Sequence, residues 1–580
     1  MASLQLPPPP PPPNGSVLAL LAALSTHGPP APDANGASSH QLALKARDDA
    51  LSSSPEGYGD LCSNFCRVLA CPSPELVPHD ELKKFHDSDP AMFDRCCGWM
   101  NQSNLNNLES TTTQPQPQRQ RTNNNNNKLL AWNTLRQMAG LLLKNALVSP
   151  PLPRDAPVDA LGRILPGHAT RMELPLAHAS EIKHGLLTCV ADREPSVRMA
   201  SSTAIARCCT APVHLERSLG AFAVKNWAEL VPFLLGCIKA GNDAAAVSVA
   251  TSTTTTPEAN EAATLLAESA AAGALLTLRK LLEDIPNRLA REAPSSAFHD
   301  LVPALLRGLG SPSVNYRKES LACLNSFVFP MPGSLVANMN DYLAGLSALA
   351  TDSSADVRRL VCQGIVSLLG HRAEYIRPHM ASVAGFMLRA TADHDADVAL
   401  EACEFWLTFA SLDEEEANME AVGTIIALFP QLLPQLLKGM VYPPDKVKEL
   451  MEINAVDEQN NNNDRSQDVA PVFHKSHVKG GGDDDSEDSD DDAPDDDDNE
   501  WTLRKCSAAS LDALSGLFGA PDVLPPLLPA LQEGLGHADQ WVREASILAL
   551  GAVADGCGAG MTPHLPMLHP FLLAQLTAPE

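Results

Sequence analysis

The sequence predicts an all-α fold in which helical hairpins repeat along the chain. Apolar residues make up 44% of its 580 residues but aromatic residues only 4%, and such an aliphatic core favours helices over β-sandwiches. From Leu129 onward, apolar positions with helical spacing recur in segments of about 12–18 residues, and strand-like alternation is nearly absent. Because the chain is too long for one hydrophobic core and its segments resemble one another, we expect a repeat array.

A turn motif marks the repeats. It consists of an acidic residue or Ser, any residue, and Val, often followed by Arg, and its valines are Val197, Val314, Val357, Val398 and Val542. The steps from 314 to 357 and from 357 to 398 are 43 and 41 residues, within the period of about 40–47 residues of HEAT and armadillo repeats. The longer steps fit two periods plus an insertion, at residues 244–270 and at about 442–500.

A second motif, an apolar helix with an internal proline, lies between the turns. A proline in the first helical turn costs little because the N–H there has no intrahelical partner. The motif occurs at residues 230–238, 301–310, 376–388, 429–440, 523–535 and 564–576. Each repeat is thus predicted to be helix A, turn and helix B, and stacked hairpins bury a continuous core. We therefore predict a HEAT-repeat superhelical solenoid with a long acidic loop inserted in one repeat.

The domain organisation follows from shifts in composition. Residues 1–55 include seven consecutive prolines and are predicted to be a disordered tail. Residues 56–150 are a divergent region with an Asn/Gln-rich insertion at 104–127, which is too polar to bury a core. Repeats are predicted over 151–440 and 501–580, separated by the acidic loop at 441–500.

Net charge and cysteine usage narrow the function. A net charge of −28 argues against nucleic acid as a direct partner, because phosphate binding needs clustered Lys and Arg. The apolar run at residues 17–24 has no basic residues before it, and no run reaches the roughly 18 residues of a membrane span, so we expect neither a secretory signal nor membrane insertion. Fourteen cysteines without framework spacing indicate a reducing, intracellular compartment.

The most distinctive segment is the acidic run at residues 483–500, in which 13 of 18 residues are acidic. Acidic runs are usually solvated, disordered spacers, but a long loop inside one repeat is often functional. Its charge would suit competition with an acidic cargo site, mimicry of an acidic ligand, or contact with a basic partner. The acidic residues are Asp483, Asp484, Asp485, Glu487, Asp488, Asp490, Asp491, Asp492, Asp495, Asp496, Asp497, Asp498 and Glu500.

No motif indicates catalysis. The chain has none of the common nucleophile, phosphate-binding, dinucleotide or zinc-protease motifs. Cys62, Cys66 and Cys71 follow C-x3-C-x4-C spacing, unlike the paired C-x2-C of zinc modules, so we interpret them as core residues. Trp406 and Trp541 are interpreted as packing between repeats. We predict no catalytic residue, no metal, no cofactor and no enzymatic activity.

Several segments carry a family resemblance. They are DVALEACEFWLT at 397–408, VAPVFHKSH at 469–477, WTLRKCSAASLDAL at 501–514, WVREASILALGAVADGC at 541–557 and GMTPHLPMLHPFL at 560–572. In order and spacing they resemble the transportin (karyopherin-β2) family of β-karyopherin import receptors. A weaker similarity to the importin N-terminal helix lies at 135–147, and the chain resembles the N-terminal half of a receptor, which we interpret as a truncation.

The resemblance implies a nuclear import receptor that shuttles between cytoplasm and nucleus. Its implied partners are Ran-GTP, nucleoporins, and cargo with a basic, proline-tyrosine-type nuclear localisation signal, and the acidic loop would couple Ran to cargo release. Ala509, Asp512 and Leu548 match family positions that contact the proline-tyrosine end of the signal. The alternative that the residues leave open is a HEAT-repeat scaffold or regulatory subunit without a role in transport.

Overall fold

The computed structural model describes residues 11–14, 17–18, 20–21, 45–49, 54–73, 76–88, 118–148, 174–210, 220–250, 258–412, 419–460 and 501–575. The residues in these ranges form α-helices and short 3-10 helices joined by turns, and none is in a β-strand. The all-α prediction is therefore confirmed. The chain divides into two compact units, residues 1–345 and 346–580.

The first unit contains α1 to α12, and the last of these helices extends past the boundary of the unit to Leu349. They are α1 (Pro55–Ala70), α2 (His79–Ser88), α3 (Gln118–Val148), α4 (Leu176–Val190), α5 (Pro195–Cys209), α6 (Leu230–Ala250), α7 (Glu258–Asp284), α8 (Pro286–Glu292), α9 (Ser295–Gly308), α10 (Val314–Ser326), α11 (Gly333–Ala337) and α12 (Met339–Leu349).

The helices of the first unit form stacked hairpins. The hairpin pairs are α1 with α3, α4 with α5, α6 with α7, and α9 with α10. The second helices of these hairpins pack in a row from α3 through α5 and α7 to α10, while α1 packs on α4 and α6 on α9. Each hairpin thus buries its apolar face against its neighbours, as expected of a repeat array.

Two predicted loops are partly helical. The predicted insertion at 244–270 contains the end of α6 and the first half of α7, because its many alanines have high helix propensity. Likewise α3 begins at Gln118, within the Asn/Gln-rich stretch, since a helix fixed by packing at its apolar end gains a hydrogen bond for each residue added.

An arginine explains the recurring turn motif. The Nη1 of Arg198 donates to the carbonyls of Asp192 and Arg193, both at 2.8 Å. Arg317, Arg358 and Arg543 donate in the same way to the carbonyls six and five residues before them. Each arginine therefore closes the turn that opens its helix B.

The same contact corrects the register of one repeat. The residue before the turn arginine is buried at Val197 and Val357. Before Arg317 this buried residue is Tyr316, whereas Val314 is 38% exposed. The Tyr316 hydroxyl donates to the Ile238 carbonyl at 2.8 Å, which fixes the ring against α6. Assigning Val314 as the repeat position was wrong, and the corrected step from 316 to 357 is 41 residues, equal to the next.

The second unit contains the remaining described helices. They are α13 (Ala355–Ile376), α14 (Met380–Thr391), α15 (Ala396–Ala410), α16 (Met419–Gly439), α17 (Pro444–Asn460), α18 (Leu503–Phe518), α19 (Ala520–Leu535), α20 (Gln540–Ala552), α21 (Ala554–Met561) and α22 (Leu565–Gln575). Helices α13, α15, α18 and α20 pack in one row, and α14, α16 and α19 in the other. The predicted loop at 441–500 thus starts with a helix, α17.

Glycines allow the two helices of a hairpin to approach closely. A Cβ at Gly439 of α16 would lie 2.4 Å from the Ser507 Oγ of α18, and one at Gly534 of α19 would lie 2.1 Å from the Ser546 Oγ of α20. In the first unit, Gly308 of α9 approaches the Oγ of its hairpin partner in α10 in the same way. These three hairpins therefore combine a glycine late in helix A with a serine in helix B.

Helix α16 is unusually apolar. The stretch Met419–Glu452 is long and apolar enough to span a membrane by length and composition alone. However, Ala421, Ile425, Phe429 and Leu436 are buried in the unit, where α16 packs on α14, α18 and α19. These buried residues therefore form the face of α16 that packs within the repeat array.

Candidate functional site

Helix α18 carries two of the three predicted site residues. Thr502 caps its start by accepting the Lys505 N–H at 3.4 Å, and Cys506, Ser510 and Leu514 lie on its buried side. Ala509 is half-buried and Asp512 is exposed. Because residues three apart lie on one helical face, the small side chain and the carboxylate present a common surface.

Helix α20 carries the third residue. Asp539 caps it by accepting the Trp541 N–H at 2.9 Å. Leu548 is half-buried and follows the helix B arginine, Arg543, by five residues, as Ala509 follows Arg504. Since α18 and α20 pack together, the structure places Ala509 and Leu548 at equivalent positions of neighbouring helices B.

Asp512 lies in a negatively charged environment. Although the Asp512 side chain is exposed, partial desolvation of its carboxylate, and then the nearby carboxylate of Asp555 in α21, raise the pKa of Asp512 above its ordinary value. Among the residues described by the structure, no ion pair joins a Lys, Arg or His to either carboxylate. The Asp512 carboxylate is therefore suited to a hydrogen-bond donor or a cation.

An arginine-centred cluster holds α18 in place beside this surface. The Arg504 guanidinium stacks 4.0 Å from the centre of the Tyr442 ring and donates to Glu544 of α20 at 2.8 Å. Tyr442 packs edge-on against Trp541, with ring centres 5.4 Å apart. Sequence analysis missed this cluster, because its members are separated by up to about 100 residues of chain.

Trp501 is fixed at the start of the same helix. Its indole Nε1 donates to the Glu404 carboxylate of α15. One turn away, burial raises the pKa of Glu401 to about 7, while Arg359 lowers it and Glu404 raises it further. Trp406 of α15 donates to Thr391 Oγ1 of α14 at 2.9 Å. Because α14 and α15 pack together as one hairpin, this contact lies within a repeat, whereas packing between repeats was predicted.

The thirteen acidic residues from Asp483 to Glu500 lie outside the described residues, so the acidic loop stays a prediction. The described residues on either side of it are anchored: Tyr442 by Arg504 and Trp541, and Trp501 by Glu404.

The cysteines are core residues wherever they are described. Cys62, Cys66 and Cys71 are buried, and Cys66 and Cys71 donate to the carbonyls of Ile182 and Ser73. Within the described ranges, no group of three His, Cys, Asp or Glu side chains is arranged to hold a metal ion.

The chain is similar in sequence to proteins of known function. A family model described as a HEAT-like repeat matches residues 540–580. Mouse Transportin-1 is 39% identical over 311 residues, which cover 53% of this chain and 34% of the mouse protein. Transportin-1 of Oryza sativa subsp. japonica is 34% identical over 447 residues, which cover 76% of this chain and 42% of that protein. The chain is homologous to the transportins.

A yeast relative is similar over about half of the chain. Importin subunit beta-2 of Schizosaccharomyces pombe is 35% identical over 329 residues, covering 52% of this transportin homologue and 35% of that protein. Against these first relatives, the chain spans well under half of their length.

Solved karyopherin structures have the same fold. A complex of Kap95p with RanGDP matches with a TM-score of 0.54 at 15% identity, covering 98% of this chain and 49% of that one. A Kap95:Nup1 complex matches with a TM-score of 0.52 at 16% identity, with the same coverage. The predicted HEAT-repeat solenoid class of this transportin homologue is thereby confirmed.

Proposed function

We propose that the chain acts as a nuclear import receptor that binds cargo bearing a basic, proline-tyrosine-type nuclear localisation signal, and that it also binds Ran-GTP and nucleoporins. The observation that carries the proposal is the homology to Transportin-1 and Importin subunit beta-2 proteins over more than half of the chain. Such a receptor shuttles between cytoplasm and nucleus and catalyses no reaction.

The proposed cargo site is the surface of Ala509, Asp512 and Leu548. Its chemistry supports this role: the small Ala509 leaves room for a ring, Leu548 supplies apolar contact, and Asp512 accepts a hydrogen bond from a phenol, an amide or a basic side chain. The Asp512–Asp555 repulsion is relieved when a cation or donor approaches, so a basic peptide gains binding energy there.

The acidic loop is also proposed to act through its negative charge. Its thirteen acidic residues, Asp483 to Glu500, would compete with a basic signal or meet a basic partner. If Ran-GTP and cargo each weaken the binding of the other, the two coupling factors must be equal. Both effects should weaken with salt, because exposed charges are screened beyond about 8–10 Å at physiological ionic strength.

The test of the cargo site is fluorescence anisotropy with a labelled basic peptide that ends in Pro-Tyr. Asp512→Asn and Leu548→Ala should each weaken binding about tenfold, which corresponds to about 1.4 kcal/mol. Asp522→Asn, an exposed carboxylate on α19, is the matched control and should leave affinity unchanged. Equal affinity of all variants, or equal affinity for a peptide with Tyr replaced by Ala, would contradict this site.

The test of the receptor function is retention of Ran loaded with GTP or with GDP by the purified chain. Selective retention of the GTP form supports an import receptor. Equal or absent retention, together with no peptide binding, would favour the scaffold alternative.

A further inference from the structure

Two buried thiols meet between the helices that precede and follow residues 461–500. Cys403 lies on α15 and Cys506 on α18, and neither side chain is exposed. The Cys403 Sγ is 3.5 Å from the Ser510 Oγ, and the Cys506 Sγ is 4.0 Å from that same oxygen. Both sulfur atoms therefore lie against one hydroxyl, at the packed interface of α15 and α18.

This pair differs from the other cysteines that the structure describes. Cys66, Cys209 and Cys323 each donate to a backbone carbonyl of a neighbouring element, and burial raises their pKa. Cys403 instead has thiol and hydroxyl groups around its sulfur. The hydrogen bond from Cys506 is the largest influence on Cys403 and lowers its pKa, whereas burial raises the pKa of Cys506.

The geometry points to Cys403 and Cys506 as a redox-modification site at which a disulfide forms between α15 and α18 when peroxide is present. The inference does not depend on the proposed transport function. The bond would join α15, in one repeat, to α18 of the next repeat, which contains residues 461–500.

The chemistry balances with hydrogen peroxide as the oxidant. The Cys403 thiolate, the more acidic of the two groups, attacks one peroxide oxygen; an S–O bond forms, the O–O bond breaks, and hydroxide leaves and takes up a proton as water. The Cys506 thiol then attacks the Cys403 sulfur, an S–S bond forms, the S–O bond breaks, and a second water leaves. Two thiols lose two electrons in total, and one peroxide gains them.

Burial sets the rate of this reaction. Because both sulfur atoms are fully buried, peroxide reaches them only during local opening of the structure around them, so oxidation should be slow. Once formed, the bond closes a long loop in the unfolded chain, and the temperature of unfolding should rise.

The experiment exposes the purified, reduced full chain to hydrogen peroxide and blocks the remaining thiols with N-ethylmaleimide. A protease specific for acidic residues then cuts at the 483–500 run, and the fragments are separated with and without reductant. Only Cys506 and Cys557 lie in the C-terminal fragment, which makes the result easy to assign. The wild-type fragments should stay joined until reductant is added, and peptide mapping should identify the 403–506 pair.

Matched variants make the test decisive. Cys557→Ser should behave like the wild type, whereas Cys403→Ser and Cys506→Ser should each release separate fragments. Fragments that separate in the wild type, that stay joined in Cys403→Ser, or that become joined only when oxidation is done in denaturant would each overturn the assignment. Circular dichroism before oxidation verifies that every variant is folded.

Discussion

Substituting Gly439 by alanine tests the close packing inside one repeat. The new Cβ would lie 2.4 Å from the Ser507 Oγ, 3.4 Å from the Ser507 Cβ and 3.5 Å from the Leu503 Cγ. Only the first distance is impossible without movement, so the clash is with a single hydroxyl. Overpacking of this kind costs about 1–3 kcal/mol, and since alanine recovers up to about 1 kcal/mol of helix propensity, the net loss should be about 1–2 kcal/mol.

The assay is urea unfolding followed by circular dichroism, with the midpoint compared at unchanged slope. Adding Ser507→Ala to Gly439→Ala removes the clashing oxygen and should restore most of the lost stability, giving a positive coupling in a double-mutant cycle. Gly423→Ala is the matched control in the same helix, because nothing lies within 4 Å of the added Cβ, and it should be neutral or stabilising.

Two results would refute this reasoning. One is a Gly439→Ala variant as stable as the wild type; the other is a double variant no more stable than Gly439→Ala alone. In either case the approach of α16 to α18 would not be limited by the Ser507 hydroxyl.

Three further predictions concern other contacts. Arg504→Lys should lower stability by about 1–2 kcal/mol in urea unfolding, because an ammonium cannot both stack on Tyr442 and bond Glu544 as the guanidinium does. Glu401→Gln should abolish a fall in stability between about pH 4.5 and 7: burial raises the folded pKa of Glu401 to about 7, so the folded state binds more protons in that range and loses stability as pH rises. A wild-type midpoint that does not fall relative to this variant would contradict it. Met331→Gly should raise the free energy of unfolding by up to about 1 kcal/mol, because Met331 has φ of +42°, a conformation that costs glycine little; a lower free energy of unfolding would contradict it.

The repeat architecture was predictable because its signals are local. The period, the proline-containing helices and the turn motif all follow from residues close in sequence, and the helices are where those patterns place them. The prolines were expected in the first helical turn, but Pro303, Pro430 and Pro570 lie inside their helices. The error at Val314 arose because the valine was used to align the repeats. The buried position is instead the one before the turn arginine. Tyr316 occupies this position, and its hydroxyl donates to the Ile238 carbonyl.

The environment of the candidate site was only partly predictable. Ala509, Asp512 and Leu548 came from a family resemblance, and their equivalent placement on α18 and α20 needed the structure. The contacts that hold α18 in place, between Arg504 and Tyr442 and between Trp501 and Glu404, join residues far apart in the chain. A periodicity argument carries no information about such pairs, because each partner looks like an ordinary polar or aromatic residue in its own helix.

Helix α18 is held by contacts from the repeats on both sides. Its position in the array therefore does not depend on the length of the chain that connects it to α17. Glu404 and Cys403 contact α18 from the preceding repeat, and Glu544 contacts it from the following one. The position of α18 is thus set by contacts across the array instead of by the connecting polypeptide. Since doubling a flexible connection costs only about 0.6 kcal/mol, this point of the chain can accept added or deleted residues, and even a fused reporter domain, at little expense to folding.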